Sequence, residues 1–116
     1  MREITCSTIT DAIKKMCIEA ATILPQDVEK ALSQKHDEED SALAQKTLQV
    51  LMDNAKLAQE KQMPICQDTG MAFVYVTMGQ EVHITGGSLN EAIQEGVRQG
   101  YTEGYLRKSV VKDPLF

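Results

Sequence analysis

Seven consecutive residues, Pro64-Ile65-Cys66-Gln67-Asp68-Thr69-Gly70, set a thiol, an amide, a carboxyl group and a hydroxyl side by side. A thiolate is a ligand for iron in a cluster. An amide can donate to a substrate carboxylate. A carboxyl group beside it can give or take a proton. Gly70 would let the backbone turn sharply out of the loop. Each residue also has a plainer reading. A lone loop cysteine is more often structural. Asp68 can be a turn residue bonding its own backbone, and Thr69 can do the same. Spacing alone leaves both readings open.

The elements that must position this stretch follow from periodicity. Ile9, Ile13, Met16, Cys17, Ala20 and Ile23 form one apolar stripe at helical spacing, with Thr8 or Thr10 as a candidate cap. Pro25 ends that helix, and Leu24 is pushed out of the helical region. A short second helix is predicted from Asp27 to Gln34. After a charged connector, 35–40, a long third helix runs from about Ser41 to Gln62. Its predicted inner face carries Leu43, Thr47, Val50, Leu51, Asn54, Leu57 and Ala58. The site loop follows directly.

Beyond the loop the period changes. Ala72 to Thr77 reads as a strand, and Glu81 to Thr85 as a second, joined through Gly79-Gln80 as a hairpin. A two-stranded hairpin is marginal by itself, so it is expected to join a larger sheet. Ser88, with Glu91 three residues on, reads as a capping box for a last helix from about Leu89 to Leu106. Gly96, Gly100 and Gly104 lie on one face of it. Each costs about 1 kcal/mol of helix propensity against Ala, so something must approach closely. Another helix backbone is the favoured reading and a cofactor the other. The fold class is α+β: a helical N-terminal half, then a β-hairpin and a glycine-striped helix.

Composition bounds the function. The chain has 116 residues, 42% hydrophobic and 25% charged, enough for one domain with a modest core. A net charge of −5 speaks against nucleic acid as a partner. No apolar run reaches the length of a membrane span, and the N-terminus lacks a signal peptide, so a cytoplasmic chain is expected. Three cysteines with no CxxC spacing are neither a disulfide framework nor a self-contained zinc site. Cys17, on the helical stripe, reads as a core residue, and Cys6 carries no assigned role.

The loop, continued by Met71-Ala72-Phe73-Val74-Tyr75-Val76, is similar to the PxCQDTG signature of the class I fumarases and the tartrate dehydratase alpha chains. Gly96-Val97-Arg98-Gln99-Gly100-Tyr101, and the segment from Leu106 through Arg107, Ser109 and Val111 to Asp113-Pro114-Leu115, resemble a second motif of the same family. Met1-Arg2-Glu3-Ile4 is a weaker third match. The resemblance covers essentially the whole chain.

It implies an enzyme that adds or removes water across the double bond of a dicarboxylate. The cofactor would be a 4Fe–4S cluster held by three cysteines, its open iron a Lewis acid. Cys66 would be one cluster ligand, with the other two outside this chain. Gln67 would bond the substrate. Asp68 would lie beside it as a general acid. Arg107 would pair with a substrate carboxylate through its planar fork. The resemblance further implies a beta subunit or domain as partner, an oligomer, and residues 1–116 as a truncated N-terminal segment that is inactive alone. Fumarate is the expected substrate and L-tartrate the alternative.

Two readings of another class stand beside it. A non-catalytic subunit-interaction module would dock through the last helix. A thiol redox sensor would use Cys66, but needs a cation next to the thiol. No Lys, Arg or His lies within three residues of Cys66. Arg107 at a helix end also has a bland reading, since the dipole favours a cation there. Arg98 and Lys108 read as solvated, Tyr101 and Tyr105 as packing residues, and His83 as a hydrogen-bonded structural histidine.

Overall fold

The first helix begins earlier than its apolar stripe predicts, because a strand leads straight into it. In the computed structural model, which describes residues 1–115, β1 spans Arg2–Thr5 and α1 spans Cys6–Thr22. Thr5 has extended backbone, and its Oγ1 accepts from the Thr8 amide at 3.3 Å, which caps the helix. Ile23 is again extended, two residues before Pro25. The next helices are α2 (Gln26–Glu38) and α3 (Ala42–Lys61). Asp27 and Glu29 in the first turn of α2 and Lys35 and His36 in its last suit the helix dipole. Ser41 caps α3 through the Ala44 amide. β2 (Val82–Thr85) and α4 (Leu89–Glu103) complete the order.

β1 and β2 pair in parallel, with Arg2 opposite Val82 and Thr5 opposite Thr85. Parallel neighbours need a crossover, and α1 to α3 lie within it. Each strand feeds a helix, so two β–α units stand side by side. Their helices run in the same direction, since the contacts climb together. Thr10 Oγ1 donates to Ala92 O at 3.0 Å, and further along Lys14 Nζ meets Glu103 Oε2 at 2.6 Å. Between these points the glycine stripe lets the backbones close. A Cβ on Gly96 would lie 2.6 Å from Ile13 Cβ, and one on Gly100 2.8 Å from Cys17 Cβ. Helix packing is therefore the reason for the stripe. Ile13 and Ala92 are buried in this interface.

The rest of the molecule is differently built. α2 packs on α3 and buries no residue of its own. Apart from Ala58, which is buried as expected, the stripe read as the inner face of α3 is its outer one. Leu43 is 77% exposed, and Val50, Leu51 and Leu57 about half. The inward face instead carries Leu48, Met52, Ala55 and Ala58. The radius of gyration is 18.3 Å, against about 13 Å for a compact domain of this length.

The α+β class stands, but the hairpin does not form. Residues 71–78 have no regular secondary structure and no ladder bonds, and β2 takes β1 as its partner. The physical reason lies in the pattern of 71–76, apolar at nearly every position. That is the signature of a strand covered on both faces, and no such cover exists among the described residues. The Ser88 capping box is also absent. Ser88 occupies the cap position, but its side chain makes no cap bond.

Candidate functional site

Both arms of the site leave their helices through the same kind of turn. At the end of α3, Gln62 takes the left-handed conformation (φ 51°), and the Met63 amide reaches back to Ala58 O at 2.9 Å. At the end of α4, Tyr105 does so (φ 55°), and the Leu106 amide reaches Tyr101 O at 3.0 Å. This is the Schellman closure, with a side-chain-bearing residue where glycine is usual. Glycine stands one place early, at Gly104. Leu106 is buried behind the turn, which delivers Arg107 toward the loop.

The loop is fixed before its thiol. The Ile65 amide donates to Ala21 O at 2.9 Å, and Asn54 Nδ2 donates to Ile65 O at 2.8 Å. Both polar groups of the residue preceding Cys66 are thus held, one by α1 and one by α3. Cys66 is exposed, its Sγ donating to Asp68 O at 3.3 Å. Asp68 Oδ1 accepts from the Gly70 amide at 3.2 Å, where Gly70 has φ 60°. Arg107 Nη1 donates to Gln67 Oε1 at 2.9 Å, and Thr69 Oγ1 donates to Arg107 O at 2.6 Å. Gln67, Thr69 and Arg107 thus form a cross-link between parts of the chain some forty positions apart, while the bonds of Cys66 and Asp68 stay within the loop. Among the described residues, Arg107 is within ion-pair distance of no carboxylate.

Two clefts meet at Cys66. A polar one of about 450 Å³ is bordered by Cys66, Gln67, Thr69, Tyr105 and Arg107. A more apolar one of about 640 Å³ lies between α1 and residues 71–75, with Cys66 and Asp68 at its mouth and Cys17 and Tyr101 in its wall. Burial pushes the Cys17 thiol above its ordinary range. Burial, and then the neighbouring Cys17, raise the Tyr101 phenol. Asp68 borders the apolar cleft and not the polar one, so its carboxyl and the Arg107 guanidinium face different spaces.

Sequence reasoning missed three contributors. Asn54 was placed on an apolar face but holds the loop. Thr69 bonds Arg107 rather than its own loop. Tyr105 is 88% exposed at the polar cleft rather than packed. Contacts this distant in sequence leave no local signal, although a non-glycine residue after Gly104 hints at a special turn. Arg107, distant in sequence, borders the polar cleft that Cys66 also lines. His83 is exposed on β2, with no side-chain hydrogen bond among the described residues.

Cys66 fits the needs of a cluster ligand, an accessible sulfur on a braced loop. It is a single ligand. Cys6 lies against Gly87 and Ser88, and Cys17 faces Gly100. Among the described residues no three His, Cys, Asp or Glu side chains gather to hold a metal ion.

Among the described residues, a braced Cys–Gln–Asp–Thr loop thus faces an arginine with no carboxylate partner, and a guanidinium so placed can take an anion. The chain is 36% identical over 104 residues to the putative L(+)-tartrate dehydratase subunit alpha of Methanocaldococcus jannaschii, covering 89% of this chain and 36% of that protein. It is 31% identical over 102 residues to a putative class I fumarate hydratase of Geobacillus stearothermophilus, covering 87% and 20%. It is 26% identical over 104 residues to the L(+)-tartrate dehydratase subunit alpha of Escherichia coli K12, covering 90% and 34%. Residues 10–116 match the family profile described as fumarate hydratase (Fumerase), and the chain belongs to that family. It spans about a third of the length of the tartrate dehydratase subunits and a fifth of the fumarate hydratase.

Proposed function

We propose that residues 1–116 are the N-terminal segment of the alpha portion of an iron–sulfur hydro-lyase, and that the complete protein interconverts fumarate and L-malate. The observation that carries this reading is the cross-link of Arg107 to Gln67, with its positive charge unmatched by any nearby carboxylate. Such a guanidinium suits a substrate dianion and not a neutral one.

Arg107 takes one substrate carboxylate. Gln67 Oε1 is engaged by the guanidinium, so its amide NH2 is left to donate to the same carboxylate. Asp68 Oδ1 is engaged by Gly70, so Oδ2 is the oxygen that carries a proton toward the reacting carbon. Cys66 Sγ is the ligand this segment offers a 4Fe–4S cluster. The cluster, when bound, supplies Lewis acidity at an open iron. The remaining two ligands and the catalytic base lie outside these residues, so this segment alone is inactive. A beta subunit or domain completes the site, as the naming of alpha subunits among the relatives supports, within an oligomer. A cytoplasmic location is part of this proposal; among the described residues no helix is long and apolar enough to cross a membrane.

The higher identity to a tartrate dehydratase subunit favours L-tartrate as the second reading. The test is anaerobic turnover by the complete alpha chain with its partner, wild type beside Cys66→Ser. Loss of fumarate hydration together with the cluster's visible absorbance is expected. Intact absorbance and activity in the variant would sink the ligand assignment. A wild type that carries a cluster, ignores fumarate and dehydrates tartrate would move the substrate to the second reading.

A further inference from the structure

The segment that presents Arg107 has little of its own to hold it. It follows the helix, and from Arg107 to Leu115 it has no regular structure and is exposed. It leaves α4 through Tyr105, whose left-handed backbone is disfavoured for a residue with a side chain. Strained turns persist only where the surroundings over-determine them. The described hydrogen bonds of Arg107 outside its own segment both come from the Cys66 loop. Gln67 meets the guanidinium. Thr69 meets the backbone carbonyl, at the short distance of 2.6 Å.

The geometry points to Thr69 as the positioning residue that sets where Arg107 presents its charge. This rests on the proposed reading, in which Arg107 binds a substrate carboxylate. Thr69 need not touch the substrate. Its hydroxyl ties the Arg107 backbone to the loop that carries Cys66. The anion-binding group and the cluster-ligand loop thus move as one unit. A guanidinium tied only at its tip could still swing at its base. With both ends tied, the guanidinium is held ready to meet the carboxylate, so loss of the tie weakens binding rather than the chemical step.

The experiment uses the complete alpha chain with its partner, kept anaerobic, as wild type, Thr69→Val, Thr69→Ser, Arg107→Lys and Thr69→Val/Arg107→Lys. Valine keeps the shape and removes the donor, and serine keeps the donor. Thr69→Val should raise KM for fumarate about tenfold, with kcat within about twofold and cluster absorbance per chain unchanged. Thr69→Ser should return KM to within about twofold of wild type. In the Arg107→Lys background, Thr69→Val should add less than about twofold, because the geometry it protects is already lost. An unchanged KM in Thr69→Val, a serine variant as impaired as the valine one, or a full additive effect in the double variant would each overturn the assignment.

Failure of the functional reading looks different. There, the wild type turns over neither fumarate nor tartrate. Amide exchange at 105–108 then decides the positioning role. Faster exchange in Thr69→Val but not in Thr69→Ser supports it, and equal exchange in all three proteins overturns it.

Discussion

α1 with α4, and α2 with α3, are both helix pairs, yet they are built on opposite principles. The first pair has three glycines on one face and backbones so close that a methyl group would collide. The second has long apolar side chains on α3 that point outward. In the first pair the close contact lies within these residues, and little remains to be covered. In the second the apolar surface is present and its cover is absent. The same holds for 71–78, where Phe73 and Tyr75 are 71% and 93% exposed. Stability of these residues is therefore concentrated in the two β–α units, and the site loop is braced from both kinds of region at once, through Ala21 of α1 and Asn54 of α3.

The strongest way to break this contrast is to force the tight pair apart. Gly96→Leu should lower stability by more than about 3 kcal/mol in denaturant titration. Gly96→Ala tests the same point more finely. Propensity favours alanine by about 1 kcal/mol, but its methyl would stand 2.7 Å from the Thr10 carbonyl oxygen, which cannot yield. A net loss of about 1–3 kcal/mol is expected. A stabilised Gly96→Ala protein would show that the helices are not in contact. Next in size is Thr10→Val, which removes the bond to Ala92 O at constant shape and should lose about 1 kcal/mol. On the other pair, Leu43→Gln should leave the stability of these residues within about 0.5 kcal/mol. An equal loss for Leu43→Gln and Gly96→Leu would erase the distinction between the two pairs.

What was legible in the sequence follows the range of the interactions. The α1 stripe, the stop at Pro25, the span of α3 and the close approach at Gly96 and Gly100 are local or periodic, and all appear. The β1–β2 pairing links Arg2–Thr5 to Val82–Thr85, and nothing in a four-residue segment announces a partner so far away. Local pattern therefore pairs 82–85 with the nearest apolar run, Ala72 to Thr77, where the molecule pairs it with β1 and leaves that run outside the sheet. α3 failed for another reason. It carries apolar residues on two faces, and periodicity cannot say which is inward. The site divides in the same way. Cys66 to Thr69 are adjacent and were legible as a group. Arg107 came only through a family resemblance, and its bonds to Gln67 and Thr69 depend on the turn at Tyr105.

The smallest effect sharpens the comparison from outside the packed face of α4. Glu95 and Arg98, one turn apart, are paired, and the Glu95 carboxylate also accepts from Gln99 Nε2 at 2.7 Å. The hydrogen bond from Arg98, and then that from Gln99, hold the carboxyl down at about 2, from an ordinary 4.5. The native state thus binds this proton less readily than the unfolded one. The pair's contribution is fully present above about pH 4.5, declines as the pH falls below it, and is gone once the pH has passed through about 2. Glu95→Gln should flatten the acid limb of the stability profile in that window and change little at neutral pH. Solvent and salt screen this exposed pair, so the flattening should shrink as ionic strength rises. The buried contacts that Gly96→Leu disrupts are not electrostatic, and that variant's loss should persist at every salt concentration. Should the flattening be the same at every ionic strength, or the Gly96→Leu loss vanish in high salt, the division between a packed inner face and a screened outer face of α4 would be wrong.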